Sequence, residues 1–260
     1  CLCVVVHAKA LTLVEFSMRT TWRWPRDHDE GDLIVSEMDE VIPALVAAVQ
    51  EQHATGDHYR DDAIRQAMEH QAQLALRPGP VRVDVIVDPP WSDGQINSVQ
   101  VVTGDRPFLV DTVASCLLRH GGRVEDVRHP IIGVKRDRGT IEAVGMPGRG
   151  GCASESWIHI DATAPLGTDI GQAAEQLRDD LCACLDQVVC ATDDWGAMHE
   201  AMLRTAELVS ASSGPADDRD SSRELLEWLA EEHYMYLSYQ EFTGDGETMT
   251  PVAGTHLGIA

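Results

Sequence analysis

The sequence predicts an α+β fold of the ferredoxin-like kind, in which strand, helix, strand, strand and helix follow one another between residues 96 and 190. Residues alternate with period two from Val81 to Val87, and residues 97–103 read as another strand. Apolar residues recur at helical spacing from Leu109 to Leu118, in a helix predicted to stop at Gly121-Gly122, and again from Ile170 to Val188. Strands with two crossover helices on one side describe a ferredoxin-like α+β sandwich.

Two segments precede this unit. Residues 1–18 start with Cys and lack a basic region followed by a cleavage site, so we interpret them as upstream translation or a fragment edge. Residues 19–80 are predicted to be a helical lead-in with one amphipathic helix near residues 38–49 and a second over residues 61–76. The second helix ends at the breaker Arg77-Pro78-Gly79-Pro80.

The central domain is predicted to span residues 81–192. The turn Gly104-Asp105-Arg106-Pro107 leads into its first helix, and Asp105 is placed to cap that helix. Further strands are predicted over Val124–Lys135 and Ser156–Ala162. The pattern leaves the place of the fourth strand open, and the segment that begins at Val81 could fill it.

The C-terminal part is predicted to begin a second, unfinished α+β domain. A connecting helix covers residues 193–212, and the small, polar and acidic residues 213–222 are predicted to be a linker. The second domain occupies residues 223–260, with a capping box formed by Ser221 and Glu224 and a strand from Tyr234 to Phe242. The chain is expected to end there by truncation.

Composition excludes several classes of function. The chain has 20 basic and 43 acidic residues, and a net charge of -23 disfavours nucleic acids and anionic membrane surfaces as partners. No apolar run approaches the roughly 20 residues that a membrane-spanning helix needs. The seven scattered cysteines show no secreted disulfide pattern and fit a reducing cytoplasm, so we predict a cytoplasmic location.

Motifs for catalysis, cofactor binding and metal binding are not found in the sequence. The glycine cluster Gly148-Arg149-Gly150-Gly151 lies between two strands, so it is predicted to be a flexible loop and not a dinucleotide site. Cys182 and Cys184 are two residues apart on a helix and point away from each other, which disfavours zinc. His129 and His159 are expected to meet across adjacent strands, as a buried hydrogen-bonded pair, on an exposed sheet face or as ligands.

A series of short motifs carries a family resemblance. The stretch from Val101 to Asp111 resembles the strand, turn and helix that open ACT domains. Several motifs, in this order, are similar to the N-terminal region of the large NAD-dependent glutamate dehydrogenases: Arg106-Pro107-Phe108-Leu109-Val110-Asp111-Thr112-Val113, His129-Pro130-Ile131, Glu155-Ser156-Trp157-Ile158-His159-Ile160, Asp194-Trp195, and the segment from Trp228 to Glu241. The resemblance covers roughly residues 37–260.

The resemblance implies a regulatory and assembly segment built around an ACT-like domain. Such a segment would belong to an enzyme that oxidises L-glutamate to 2-oxoglutarate and ammonia with NAD, whose catalytic region lies downstream in the same polypeptide. It implies self-association through ACT-like domains, the second of which begins at residue 223, and no cofactor in this chain itself. An amino-acid effector would bind at the turn formed by Gly104, Asp105, Arg106, Phe108 and Asp111.

Two other hypotheses remain open from the sequence. The chain is a free-standing amino-acid sensor, or it is an enzyme in its own right, for which no constellation of residues was found. Many amino-acid-binding ACT domains have Gly directly after the Asp-Arg-Pro turn, where a ligand approaches the backbone. This chain has Phe108 there, so the resemblance leaves ligand binding at the turn unsupported.

Overall fold

A computed structural model describes residues 2–10, 43, 46, 61–92, 96–163, 170–244 and 248–259 of the 260-residue chain. The chain divides into two compact units, one within residues 25–186 and the other formed by residues 1–24 with residues 187–260. The elements in chain order are β1 (Leu2–Ala10), α1 (Asp61–Ala75), β2 (Val81–Ile86), β3 (Asn97–Gly104), α2 (Leu109–Arg119), β4 (Arg123–Arg128), β5 (Ile131–Asp137), β6 (Thr140–Gly145), β7 (Ala153–Thr163), α3 (Ile170–Asp193), α4 (Trp195–Ser210), α5 (Ala216–Trp228), a π-helical turn (Leu229–His233), β8 (Tyr234–Gly244), β9 (Met249–Pro251) and β10 (Leu257–Gly258).

The larger unit contains an antiparallel sheet of six described strands in the order β2, β3, β7, β5, β6, with β4 also paired to β7. Strand β2 pairs antiparallel with β3, so the segment that begins at Val81 fills the edge that the sequence left open. The strands and helices from β2 to α3 form the α+β sandwich that the sequence predicts. The fold class is therefore confirmed.

One predicted strand is split in two. The sequence predicts a single strand over Val124–Lys135, whereas β4 pairs with one part of β7 and β5 with the next, on the same side of β7. The break falls at His129-Pro130, because proline has no N–H to give to a sheet. The Pro130 carbonyl still accepts a hydrogen bond from the Trp157 N–H at 3.0 Å, so the two strands remain aligned.

Strand β6 was missed by the sequence analysis. It forms a hairpin with β5 through the two-residue turn Arg138-Gly139, in which both residues have positive φ values of 47° and 90°. Two such residues in succession are typical of a type I′ turn, whose twist matches that of the flanking strands. The predicted glycine-rich loop then joins β6 to β7.

Helix α1 covers one face of the sheet. Met68 and Ala72 of this helix lie in a buried cluster with the sheet residues Val102, Ile132 and Trp157. The fully buried Gln71 also donates from Nε2 to the backbone carbonyls of Val101 and Ile158, at 3.2 and 2.9 Å. Helix α1, at the end of the predicted helical lead-in, therefore packs against one face of this sheet.

Successive side chains of a strand point to opposite faces of the sheet. The face of β3 and β7 opposite to α1 therefore carries Val99, Val101, Ile158 and Ile160, all of which are buried. Helix α2 and the first part of α3 each carry an apolar stripe, and stripes of this kind pack against a buried sheet face. The buried residues of the two stripes are Leu109, Val113, Leu117, Leu177, Leu181 and Leu185. Helix α2 ends as predicted, with Gly121 at a φ of 78° and the Gly122 N–H bonded to the Leu117 carbonyl.

The second unit is built around β8, which lies between β1 on one side and the short strands β9 and β10 on the other. Helix α4 supplies Met198, Ala201 and Met202 to a buried cluster with Tyr236 and Tyr239 of β8. The predicted connecting helix and the predicted strand at Tyr234 are both confirmed.

The predicted capping box at Ser221 and Glu224 is wrong. Helix α5 already begins at Ala216, with Pro215 at its N-cap, so most of the predicted linker 213–222 is helical. The acidic pair Asp217-Asp218 lies in the first helical turn, where negative charge is favoured by the helix dipole. The acidic residues that suggested a solvated linker therefore favour a helix start.

Several predictions lie wholly or partly outside the described residues. Of the predicted helix near residues 38–49, the structure describes Pro43 and Val46, both helical, with Val46 buried. The predicted domain boundaries and the origin of residues 1–18 stay predictions. Within the described residues, no helix combines the length and the apolar character needed to cross a membrane.

Candidate functional site

The turn between β3 and α2 is the site that the sequence singled out. Asp105 is exposed, and its Oδ1 accepts a hydrogen bond from the Ser156 hydroxyl at 2.6 Å, while its N–H donates to the Ser154 carbonyl. The prediction that Asp105 caps α2 is wrong, because the N-cap residue is Phe108 and no side chain caps this helix. The carboxylate is instead committed to strand β7.

Phe108 has the backbone conformation of a glycine. Its φ is 71° and its ψ is 4°, in the left-handed region, which costs an ordinary L-residue roughly 1 to 2 kcal/mol. This is the position where the sequence departs from the glycine of many amino-acid-binding ACT domains. The turn thus keeps a geometry that favours glycine while adding a half-buried aromatic side chain.

Three other residues belong to the predicted turn. Arg106 is half-buried, and its Nε donates to the Gly104 carbonyl at 3.4 Å. A side chain at Gly104 would come within 3.6 Å of Arg106 Nη2, an ordinary contact, so packing does not require glycine there. Asp111 is exposed in the first turn of α2, where the helix dipole favours a carboxylate.

A short chain of hydrogen bonds connects this turn to His129. The His129 Nε2 lies 2.9 Å from the Ser156 hydroxyl, whose proton is given to Asp105. His129 therefore acts as a donor to the serine oxygen and not as its base. Ser156 is also fully buried, so the three residues do not have the arrangement of a nucleophilic triad.

A larger polar network lies beneath α1 on the same sheet. His159 is fully buried between Gln100 Nε2, 3.0 Å from its Nδ1, and Asp161 Oδ1, 3.0 Å from its Nε2. Gln100 Nε2 also donates to the Ala67 carbonyl of α1, and its Oε1 accepts from His70 Nδ1 at 2.8 Å. These bonds are mutually consistent if His159 is neutral with its proton on Nε2.

Asp161 is the anionic centre of this network. Its Oδ1 accepts from the Ser98 hydroxyl at 2.6 Å, and its Oδ2 accepts from Arg128 Nη2 at 2.9 Å. The side chains of Arg128 and Asp161 are only 7% and 2% exposed, which makes this a buried ion pair. Trp91 closes the network from the β2–β3 connection by donating to the Ser98 hydroxyl at 3.3 Å.

Comparison with known proteins gives the chain its family. Residues 45–181, which are just over half of the 260 residues, match the family model described as Glutamate dehydrogenase, ACT1 domain. The chain belongs to this family. The matched region begins ahead of α1 and ends within α3, so the ACT1 domain includes both the predicted turn and the buried network.

Two curated relatives agree with this assignment. The chain is 26% identical over 173 residues to the NAD-specific glutamate dehydrogenase of Pseudomonas aeruginosa, a match that covers 62% of this chain and 10% of that protein. It is 28% identical over 151 residues to the NAD-specific glutamate dehydrogenase of Halomonas elongata, a match that covers 55% of this chain and 9% of that protein. The chain thus spans about a tenth of the length of these relatives.

The two histidines of the ACT1 domain that the sequence singled out bind different residues. They were expected to meet each other, but His129 bonds to Ser156 and His159 to Gln100 and Asp161. Burial lowers the pKa of both imidazoles, opposed at His129 by the charge of Asp105 and at His159 by the hydrogen bond to Asp161. Both are therefore held in the neutral form.

The polar residues around His159 were missed by the sequence analysis, although a signal for them exists. Ser98 and Gln100 lie two residues apart on β3, and so do His159 and Asp161 on β7. Polar residues at every second position of an otherwise apolar strand point to one face, so they indicate a shared polar network. Among the described residues, no group of three His, Cys, Asp or Glu side chains is close enough to hold a metal ion.

The neutral His159 predicts an acid-sensitive ACT1 domain. Its pKa is lowered on folding from about 6.5, so its contribution to stability is present above about pH 6.5 and is lost as the pH falls toward the folded-state pKa. We expect the free energy of unfolding in urea to decrease between about pH 7.5 and pH 5.5, by at most about 1.4 kcal/mol per pH unit for this group.

The variant His159→Gln isolates the contribution of His159 to the pH dependence of stability. It removes the titrating group, so its free energy of unfolding should depend less steeply on pH over the same interval, even if it is less stable throughout. Because the buried His129 remains in the variant, part of the slope should persist. Identical slopes in the two proteins would contradict the assignment of this pH dependence to His159.

Proposed function

We propose that this chain is the N-terminal regulatory and assembly segment of an NAD-dependent glutamate dehydrogenase. The observation that carries the proposal is the match of residues 45–181 to the ACT1 domain of that family. The complete enzyme would convert L-glutamate, NAD and water to 2-oxoglutarate, ammonia and NADH. NAD would bind to the catalytic region of the same polypeptide and not to this chain, and the enzyme would act in the cytoplasm.

The contacts within the ACT1 domain support a non-catalytic role. The serine and histidine side chains of the two networks are committed to carboxylates: Ser156 donates to Asp105, and His159 donates to Asp161. Both Ser156 and His159 are buried, so a substrate has no direct access to them. The Ser156 bond ties the turn before α2 to β7, and Gln100 links His159 to α1, as expected of a scaffold that transmits binding or assembly.

Open sheet edges support the assembly part of the proposal. Strands β2, β4 and β6 each pair with a single described strand, and the free edge of such a strand presents unpaired backbone groups to another chain. Self-association through one of these edges would place copies of the ACT1 domain side by side. Light scattering after size-exclusion chromatography would measure the mass of the particle directly.

Two assays test the proposal. The purified chain should reduce no NAD in the presence of L-glutamate, measured by NADH absorbance, and turnover would overturn the non-catalytic assignment. The longer polypeptide that carries this segment should lose its assembly or its response to amino acids when residues 1–260 are removed, while it retains glutamate oxidation. Unchanged mass and unchanged regulation in that truncated enzyme would overturn the regulatory assignment.

The alternative function is a stand-alone amino-acid sensor that binds at the turn from Gly104 to Asp111. The observation in its favour is the left-handed backbone of Phe108, since strained residues are concentrated at ligand sites and switches. Calorimetry with glutamate, aspartate and arginine distinguishes this alternative from the proposed regulatory and assembly segment. A binding isotherm that is lost in Asp105→Ala but retained in Asp111→Ala would favour it, because both carboxylates are exposed and only Asp105 bonds to Ser156.

A further inference from the structure

Two thiols and one guanidinium meet between α2 and α3. Arg119, in the last turn of α2, donates from Nη2 to the Cys184 sulfur of α3 at 3.0 Å. Cys116, one turn earlier on α2, lies close enough to Arg119 and Cys184 for both groups to influence its thiol. A second contact joins the end of α2 to α3, between Nε2 of the C-cap residue His120 and Asp180 Oδ2 at 2.9 Å.

The two thiols of this cluster differ in accessibility. Cys116 is fully buried, and burial raises the pKa of its thiol. Cys184 is half-buried, so a small oxidant reaches it first. Two further cysteines of α3 provide internal comparisons, because Cys182 is half-buried and Cys190 is exposed.

We propose that Cys116 and Cys184 form a reversible disulfide between α2 and α3, in which Cys184 is the thiol that reacts with peroxide and Cys116 is the thiol that resolves it. The proposal rests on the contacts of Cys116, Arg119 and Cys184 and is independent of the proposed function. Both cysteines are free in the structure, which therefore represents the reduced form.

The chemistry requires one molecule of hydrogen peroxide. The Cys184 thiolate attacks one peroxide oxygen, the O–O bond breaks, and the departing hydroxide takes up the thiol proton to give water and a sulfenic acid. The Cys116 sulfur then attacks the Cys184 sulfur and displaces hydroxide, which leaves as a second water with the Cys116 proton. Two thiols are oxidised to one disulfide, and one peroxide is reduced to two waters.

Arg119 assists the first step through its charge. A guanidinium beside a sulfur stabilises the negative charge that the attacking thiolate carries, which is how basic side chains make a cysteine reactive. Arg119 contacts Cys184 directly and is itself exposed, so it can be replaced without loss of buried packing. Its role is to position and activate the thiol.

The cross-link would stabilise the ACT1 domain. It joins two helices that are separated in the sequence by strands β4 to β7, so it restricts the unfolded chain over a long loop. We therefore expect oxidation by peroxide to raise the thermal midpoint of the full chain and a dithiol reductant to reverse the rise. An unchanged thermal midpoint after full oxidation would contradict the expected stabilisation by the disulfide.

Peptide mapping of the full chain tests the proposal. After peroxide treatment, free thiols are alkylated and the protein is digested without reductant. We expect a cross-linked pair of peptides that contains Cys116 and Cys184, lighter by two hydrogens than its parts and lost on reduction. The failure of any disulfide to form while both thiols remain alkylated would overturn the proposal, and this result needs no variant.

Substitutions on α3 identify the cysteine that pairs with Cys116. Because one proteolytic peptide can carry both Cys182 and Cys184, the mapping is repeated in Cys182→Ser, Cys190→Ser and Cys184→Ser. The cross-link should persist in the first two variants and disappear in the third. Its loss in Cys182→Ser, or its persistence in Cys184→Ser, would overturn the assignment of Cys184.

A further variant tests the role of Arg119. Arg119→Gln should form the same disulfide several-fold more slowly, with circular dichroism confirming that the helices are intact. An unchanged rate would overturn the activating role that we assign to Arg119.

Discussion

Replacing Asp161 with alanine is expected to lower the free energy of unfolding of the ACT1 domain by about 3 to 5 kcal/mol. The carboxylate accepts hydrogen bonds from Arg128, Ser98 and His159, and the side chains of Arg128 and Asp161 are almost fully buried. Its removal leaves a guanidinium in the interior without this buried counter-charge. Urea unfolding followed by circular dichroism measures the change.

Asp126→Ala provides the matched control, because Asp126 binds the same arginine from the surface. Its Oδ2 lies 2.9 Å from Arg128 Nε, but its side chain is 44% exposed. An ion pair with one partner in solvent contributes little to stability, so Asp126→Ala should lower the free energy of unfolding by less than about 1 kcal/mol. Equal losses in the two variants would contradict the view that burial of Asp161 determines the effect.

Replacing Trp157 with alanine is expected to destabilise the domain by about 3 to 5 kcal/mol as well. The indole is 1% exposed and lies in the cluster in which α1 packs against the sheet, together with Met68, Ala72 and Val102. The substitution removes apolar contacts and leaves a cavity between the two layers. We expect a lower midpoint in urea and an earlier loss of the α1 signal in hydrogen exchange.

Trp157→Phe distinguishes packing from hydrogen bonding at this position. The indole Nε1 is buried and has no hydrogen-bond partner among the described residues, so phenylalanine removes no bond and retains a ring. The loss should be less than half of that for Trp157→Ala. A loss as large as that for alanine would show that the indole nitrogen contributes a bond in solution.

Helix α1 is attached to the sheet by apolar and polar contacts together. It covers a sheet face through both the apolar cluster around Trp157 and the polar network around His159. Protonation of His159 would remove the acceptor that Gln100 uses, and the same Gln100 amide bonds to the Ala67 carbonyl of α1. The pH dependence predicted for His159 therefore acts on the attachment of this helix.

The contrast between the two predicted turn residues explains why the site was only partly predictable. Asp105 directly precedes Arg106-Pro107, where local chemistry favours a helix cap, but the Ser156 hydroxyl competes for the same carboxylate from 51 residues away. A local pattern cannot represent a partner brought near by strand pairing. Phe108 is a different case, since the sequence marked it only as a departure from the glycine of many ACT domains, and its left-handed φ of 71° emerged only from the structure.

The sequence by itself determined the sandwich, because the period of apolar residues in β2, β3, β7, α2 and α3 reflects burial within each element. It also determined the end of α2, since Gly121 supplies the left-handed residue that a helix stop requires. Both properties depend on neighbours in the chain.

Only the tertiary structure decided which polar groups meet. The pairing of β4 and β5 with successive parts of β7 joins segments that are far apart in the sequence. The bonds of Asp161 to Ser98 and Arg128 and the meeting of Cys116 with Cys184 join residues more than 30 positions apart. Such contacts arise from the register of strands and the packing of helices, which no local periodicity encodes.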